Sequence, residues 1–148
     1  MSALLIRIVI IGVVSIITWL LVWSGRRFVE LRRQRVLEAA PLALAHEATH
    51  VPTRVRILAF SSADCRQCHL LQEPALQRLL EKRGELVAVE HIDAPGEPEL
   101  TRRYQVLTVP TTVVLDATGR ATAVNYGFAT VQHLLEQVDA VLEENTAR

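Results

Sequence analysis

Cys65-Arg66-Gln67-Cys68 is the constellation in this chain whose residue types and spacing have a clear chemistry. A buried-strand run, Val55-Arg56-Ile57-Leu58-Ala59-Phe60, leads into it, and a helical pattern follows. Two cysteines at this spacing on the first turn of a helix can reach each other, so a small disulfide ring can close. Cys65 is expected beside free backbone N–H groups and the positive end of a helix dipole. Both favour a thiolate, the attacking species in thiol–disulfide exchange. Arg66 adds to this effect and Asp64 opposes it; with Gln67, they are the residues expected to tune the pair. Cys65 is expected to be the exposed nucleophile that forms a mixed disulfide. Cys68, one turn inside, is expected to resolve it.

The elements that must hold this pair are legible in the pattern of apolar residues. Ser61 to Asp64 reads as a loop with helix N-cap residues. From Cys65 to Arg83 the residues Leu70, Leu71, Ala75, Leu76, Leu79 and Leu80 form a helical stripe. Pro74 predicts a kink in it, and Gly84 ends it. A second strand spans 86–92. A short helix spans 95–104, with Pro98 near its first turn. Strands at 111–115 and 120–126 flank the turn Ala117-Thr118-Gly119 and read as a hairpin. Thr130 caps a last helix that buries Val131, Leu134, Leu135, Val138, Val141 and Leu142. The order is β-α-β-α-β-β-α, an α/β domain over 54–145 with one modest core.

This order resembles the thioredoxin family, and the resemblance covers about residues 54–142. It rests on the strand Ile57-Leu58-Ala59-Phe60, the Cys65/Cys68 pair, the strand end Ile92-Asp93 and the step Val109-Pro110-Thr111. In that family such a step holds a cis proline beside the dithiol, where a substrate backbone can pair. The resemblance therefore implies a thioredoxin-like fold. It also implies a substrate groove formed by Val109, Pro110, Thr111 and Gly127. The implied activity is exchange or reduction of protein disulfides, with no dissociable cofactor beyond the redox-active Cys65–Cys68 disulfide. The implied partners are a protein disulfide substrate and a protein that donates or accepts electrons. The chain departs from the family at several positions. Asp64 stands where a Trp is usual, Ala59 aligns with a buried Asp, and Val89 aligns with the Lys that often pairs with that Asp. Arg66-Gln67 replaces Gly-Pro between the cysteines. The family's first strand and helix are expected to be replaced by a linker.

Two other readings use the same residues. Cys65-Arg66-Gln67-Cys68-His69 fits the c-type haem attachment pattern, with His91 or His133 available as a second axial ligand. The fold also serves as a non-catalytic binding module. A metal role is not expected: His46 and His50 lack partners to complete a shell, and the favoured reading of His69 is a polar residue on the first helical turn. His91 reads as a structural or surface histidine, and Glu73 or His69 as an alternative proton route.

Ahead of the domain, Ala3–Trp23 is apolar apart from Arg7. A helix of about 20 apolar residues spans a bilayer. Arg7 lies where its stem can reach the headgroups, and Trp19 and Trp23 suit an interfacial belt. A cleaved signal peptide would have a shorter apolar region and small residues at its end, whereas this run ends Trp23-Ser24-Gly25-Arg26-Arg27. The expected organisation is a single-pass anchor over 3–23, a basic and partly helical linker over 24–53, and the α/β domain. In the linker, Pro41 is expected to interrupt a helix, 42–48 to add one or two helical turns, and Pro52 to mark the next boundary. Arg26, Arg27, Arg32, Arg33 and Arg35 follow the span. The positive-inside rule places them, and the domain behind them, in the cytoplasm. An extracytoplasmic domain is the alternative. The basic stretch also suits anionic lipid.

Sixteen basic and sixteen acidic residues balance over the 148 residues. The balance hides an asymmetry: residues 1–60 carry eight bases against three acids, and 61–148 eight bases against thirteen acids. An acidic domain argues against nucleic acid as its partner. Two cysteines are too few for a disulfide-dense scaffold or a four-cysteine zinc site.

Overall fold

The computed structural model describes residues 2–37 and 55–146. The expectations for Pro41, 42–48, Pro52, His46 and His50 lie outside the described residues. Two compact units separate, Met1–Gln34 and Arg35–Arg148. The first is carried by helix α1, Ser2–Leu37. Its apolar side chains from Ile8 to Trp23 are exposed. Over Arg7–Leu37 it is long and apolar enough to cross a membrane by length and composition. The Thr18 hydroxyl donates to Val14 O at 2.8 Å, so this polar group within the apolar stretch is satisfied inside the helix. Trp19 and Trp23 stack with ring centres 6.4 Å apart. The Arg27 guanidinium lies 5.5 Å from the Trp23 ring centre.

The second unit is built on a four-stranded sheet. Its strands are β1 Val55–Ser61, β2 Val87–Asp93, β3 Thr111–Asp116 and β4 Ala121–Tyr126. Their order in the sheet is β2-β1-β3-β4. β1 runs parallel to β2 and antiparallel to β3, and β3 and β4 form an antiparallel hairpin. Among the described residues, three α-helices pack with the sheet: α2 Glu73–Arg83, α3 Pro98–Arg103 and α4 Val131–Thr146. The four strands and intervening helices fall where the apolar runs predict them, to within a few residues at their ends.

β1 is buried on both faces, which is why its sequence reads as a continuous apolar run. Val55, Ile57 and Ala59 face one cluster with Leu76 and Leu79 of α2 and Leu134, Val138 and Val141 of α4. Leu58 and Phe60 face the other, with Ile92, Tyr104, Val106, Val113 and Leu115. The Phe60 and Tyr104 rings meet at 6.0 Å, tilted by 59°. Burial pushes the Tyr104 phenol pKa upward, against smaller opposing effects from Arg103 and Arg56 and with a small push from Glu90. On the first face a polar bridge ties sheet to helix. Asn125 Nδ2 donates to Gln137 Oε1 at 2.8 Å and to buried Thr112 Oγ1 at 3.1 Å. Gln137 Nε2 donates back to Asn125 Oδ1 at 2.8 Å. Thr122 is an extra residue on β4, where the pairing shifts between Val114–Ala123 and Leu115–Ala121.

Candidate dithiol site

The dithiol helix does not start where its sequence suggests. Helical geometry begins at Arg66, so Cys65 itself is the N-cap. The Cys68 N–H donates to Cys65 Sγ at 3.1 Å, the bond a capping oxygen would accept. Ser61 to Asp64 supply instead the turn before it, with Cys65 N–H donating to Ser62 O at 3.1 Å. A sulfur in the capping place receives an N–H dipole at the positive end of a helix, and that placement favours the thiolate when the pair is reduced.

Cys65 and Cys68 are joined by a disulfide with S–S 2.07 Å and Cα–Cα 5.3 Å. Cys65 is half-buried and Cys68 is 4% exposed. The outer sulfur is therefore the more accessible of the two. Asp64, Arg66 and Gln67 are all exposed around it. His69 is exposed too, and its Nε2 lies 3.1 Å from Ala63 O, an arrangement in which Nε2–H donates to the carbonyl.

After Gln67 the helix widens into a π turn, Cys68–Gln72. Glu73 N–H donates to Cys68 O, closing a ring over five residues instead of four. Pro74 sits in the first turn of α2 and has no N–H to offer the residue four back. The kink expected at Pro74 thus takes the form of a change in helical register just before it.

The step Val109-Pro110-Thr111 lies alongside. The Val109–Pro110 peptide bond is cis, and Pro110 lines a small cavity together with Cys68. Thr111 is fully buried, and its hydroxyl donates to Thr108 O at 2.8 Å. Gly127 N–H donates to Pro110 O at 2.9 Å, with Gly127 at φ +89°, where a side chain is strained. The structure thus brings Pro110 and Gly127 together and sets Pro110 beside Cys68.

Ala59 is 4% exposed and lies in β1 opposite His91 of β2 and Thr112 of β3. It lines the same cavity and carries no group that could take a proton from Cys68. Sequence reasoning missed Gln72. Its side chain is 3% exposed, and its Oε1 accepts the Ala129 N–H at 2.9 Å. It thereby ties the dithiol helix to the segment after Gly127. A signal existed: Gln72 precedes core residues Leu76 and Leu79 by four and seven positions, so it sits on the apolar stripe.

The fold and pair define a thioredoxin-fold protein with a CxxC disulfide. Solved thioredoxins share the architecture. The germline-specific thioredoxin Deadhead of Drosophila melanogaster is 29% identical, with a TM-score of 0.53 over 59% of this chain and 80% of that one. Chloroplastic thioredoxin z is 23% identical, with a TM-score of 0.54 over 61% of this chain and 80% of that one. Thioredoxin-2 of the malaria parasite's protein secretion machinery is 21% identical, with a TM-score of 0.54 over 59% and 82%. No family model matches the chain. No curated protein matches it either. The fold and the Cys65–Cys68 pair support a thiol–disulfide oxidoreductase kind of function.

Proposed function

We propose that this chain is a membrane-tethered thiol–disulfide oxidoreductase that exchanges or reduces protein disulfides. One observation carries the reading: a half-buried Cys65 at a helix N-cap is joined to a buried Cys68. In the reducing direction, the Cys65 thiolate attacks a substrate disulfide, and one substrate sulfur leaves and takes a proton. Cys68 then loses its proton and attacks Cys65 Sγ. The Cys65–substrate bond breaks, and the second substrate sulfur leaves as a thiol. Two electrons and two protons pass to the substrate, and the pair ends as the disulfide. A dithiol protein is the partner that returns the electrons. Val109, Pro110, Thr111 and Gly127 form the substrate groove, and the pair needs no dissociable cofactor.

Residues 3–23 serve as the anchor, supported by the length and apolar character of α1. The arginines from Arg26 to Arg35 favour a cytoplasmic domain by the positive-inside rule, with the opposite sidedness as the alternative. The haem reading receives less support, since Cys65 and Cys68 are bonded to each other and His69 Nε2 is engaged by Ala63 O.

The test is a redox titration of the full chain in detergent micelles, read by the mass shift of thiol alkylation. A reversible couple near about −270 mV marks a reductant, and one near about −120 mV an oxidant. If Cys65 and Cys68 form no intramolecular disulfide at any poise, the dithiol mechanism fails. The domain is then a binding module.

A further inference from the structure

Resolution by Cys68 needs somewhere for its proton to go. The residue is 4% exposed, and apolar burial disfavours the thiolate that must attack. Beside it lies a cavity of about 30 Å³, lined by Ala59, Cys68, Gln72, Glu73, His91 and Pro110 among others. That volume is enough for one water.

The groups facing this cavity differ in their freedom to take a proton. From β1 come Ala59, Phe60 and Ser61, and from the loop before β3 comes Pro110; none of them is a base at neutral pH. Gln72 is committed to Ala129. His69 donates to Ala63 O through Nε2 and has no carboxylate partner among the described residues. Asp93, two residues beyond His91 on the same face of β2, lies outside the cavity lining and accepts the Gly96 N–H at 3.1 Å. Glu73 and His91 are the lining residues that form an acid–base pair. They approach each other at 3.5 Å between Oε2 and Nδ1, with side chains 40% and 52% exposed. Each therefore lines the cavity on one side and meets solvent on the other. The π turn brings Glu73 there: its N–H closes the ring on Cys68 O, so Glu73 follows Cys68 by one turn of helix.

We infer that the Glu73–His91 couple is the proton relay for Cys68, working through one water in this cavity. The inference rests on the oxidoreductase reading above. In the resolving step the Cys68 S–H proton passes to the couple, and Cys68 Sγ bonds to Cys65 Sγ. The bond from Cys65 to the substrate sulfur breaks, and that sulfur leaves with the electron pair and takes up a proton. In the reverse step the couple returns the proton to Cys68. The substrate disulfide is the oxidant and the dithiol the reductant, so nothing else enters.

The experiment uses the reduced full-length chain in micelles, mixed rapidly with dithiobis(nitrobenzoate) over about pH 5 to 9. The first equivalent of nitrothiobenzoate reports attack by Cys65, and the second reports resolution by Cys68. Glu73→Gln is expected to slow the second phase about 10²-fold, the low end for a positioned proton acceptor. It also flattens the pH dependence of that phase and leaves the first phase within about twofold. Glu73→Asp keeps a carboxylate and recovers about tenfold of the loss. His91→Gln slows the second phase in the same direction. If both Gln variants keep the wild-type second-phase rate and pH profile, the relay is wrong. It is wrong as well if both phases slow equally, because the residues then only shape the site. If the wild-type chain releases a single equivalent at every pH, the oxidoreductase reading itself fails, and the inference falls with it.

Discussion

Replacing Gln72 with leucine separates the packing of the dithiol helix from its polar tie to the rest of the domain. The two side chains have similar volumes, and the site is 3% exposed. What disappears is the acceptor for the Ala129 N–H, now at 2.9 Å. Ala129 is itself 3% exposed, so its donor is left buried without a partner. Such an orphan costs about 1–3 kcal/mol. The second contact, Nε2 to Ala129 O at 3.5 Å, is at the limit of a hydrogen bond and adds little. Burying leucine in place of an amide beside Leu76 returns about 1 kcal/mol. The net expectation is a loss of about 1 kcal/mol, within a span of about 0–2 kcal/mol, centred on the segment between Gly127 and α4. Urea unfolding of the full chain measures it, followed by the near-ultraviolet circular dichroism of Tyr104 and Tyr126. Tryptophan emission is the wrong probe, because Trp19 and Trp23 both belong to α1. Hydrogen exchange at the Ala129 amide should quicken by about tenfold, as 1.4 kcal/mol of local opening requires. Gln72→Glu keeps the acceptor but buries a charge and sets it against Ala129 O, so it should cost more than leucine. A Gln72→Leu chain within about 0.5 kcal/mol of wild type, with unchanged protection at Ala129, would refute the reasoning.

Two further outcomes test the fold beneath the site. Leu79→Ala empties a fully buried position between α2 and the sheet, and should lower stability by about 2–5 kcal/mol in the same urea titration; a smaller loss means that the helix collapses onto the gap. Asp116 tests the hairpin turn through pH. Burial raises its pKa, but the Thr118 hydroxyl, the N–H groups of Arg120 and Thr118 and the Arg120 charge together outweigh that and hold it below the ordinary value. The folded pKa then lies below the unfolded one, near about 3.9. Its contribution is therefore present above the unfolded value and lost as pH falls through the folded one. Asp116→Asn should lower the urea midpoint at neutral pH and narrow its gap to wild type near about pH 3. Parallel midpoints across that range would sink the assignment.

How much of this was legible beforehand depended on how far apart the partners lie in the chain. β1, the helix after it and the β3–β4 hairpin came from runs and stripes of apolar residues, which are local signals. The Cys65/Cys68 spacing was local too, and so was the Val109-Pro110-Thr111 step. The role of Gln72 was not, because its partner Ala129 lies 57 positions away. His91 looked like a bland strand histidine for the same reason: its neighbour Glu73 comes from another element. The N-cap was misplaced because Ser, Asp and their kind are the usual caps, and a cysteine sulfur is not counted among them. The π turn escaped because Pro74 announces a disturbance without saying which one. Thr122 escaped because an extra residue in a strand is visible only against the strand beside it.

The π turn lets the segment between Cys68 and Pro74 carry one extra residue while the helix on either side stays in phase. It amounts to one residue inserted into an otherwise α-helical run. Each residue of an α-helix advances the side chains by about 100°. Wound as ordinary helix with no residue removed, the run from Arg66 to Arg83 would turn by about 100° more. Ala75, Leu76 and Leu79 then swing by about 100° relative to Cys68. The chain would have to choose between seating its apolar face on the sheet and holding its sulfurs beside Pro110. The wide turn keeps two clocks in step, one set by the dithiol edge and the other by the core. An alignment of this chain with a thioredoxin whose helix lacks the turn needs a gap there, and an alignment without one misassigns every residue of α2.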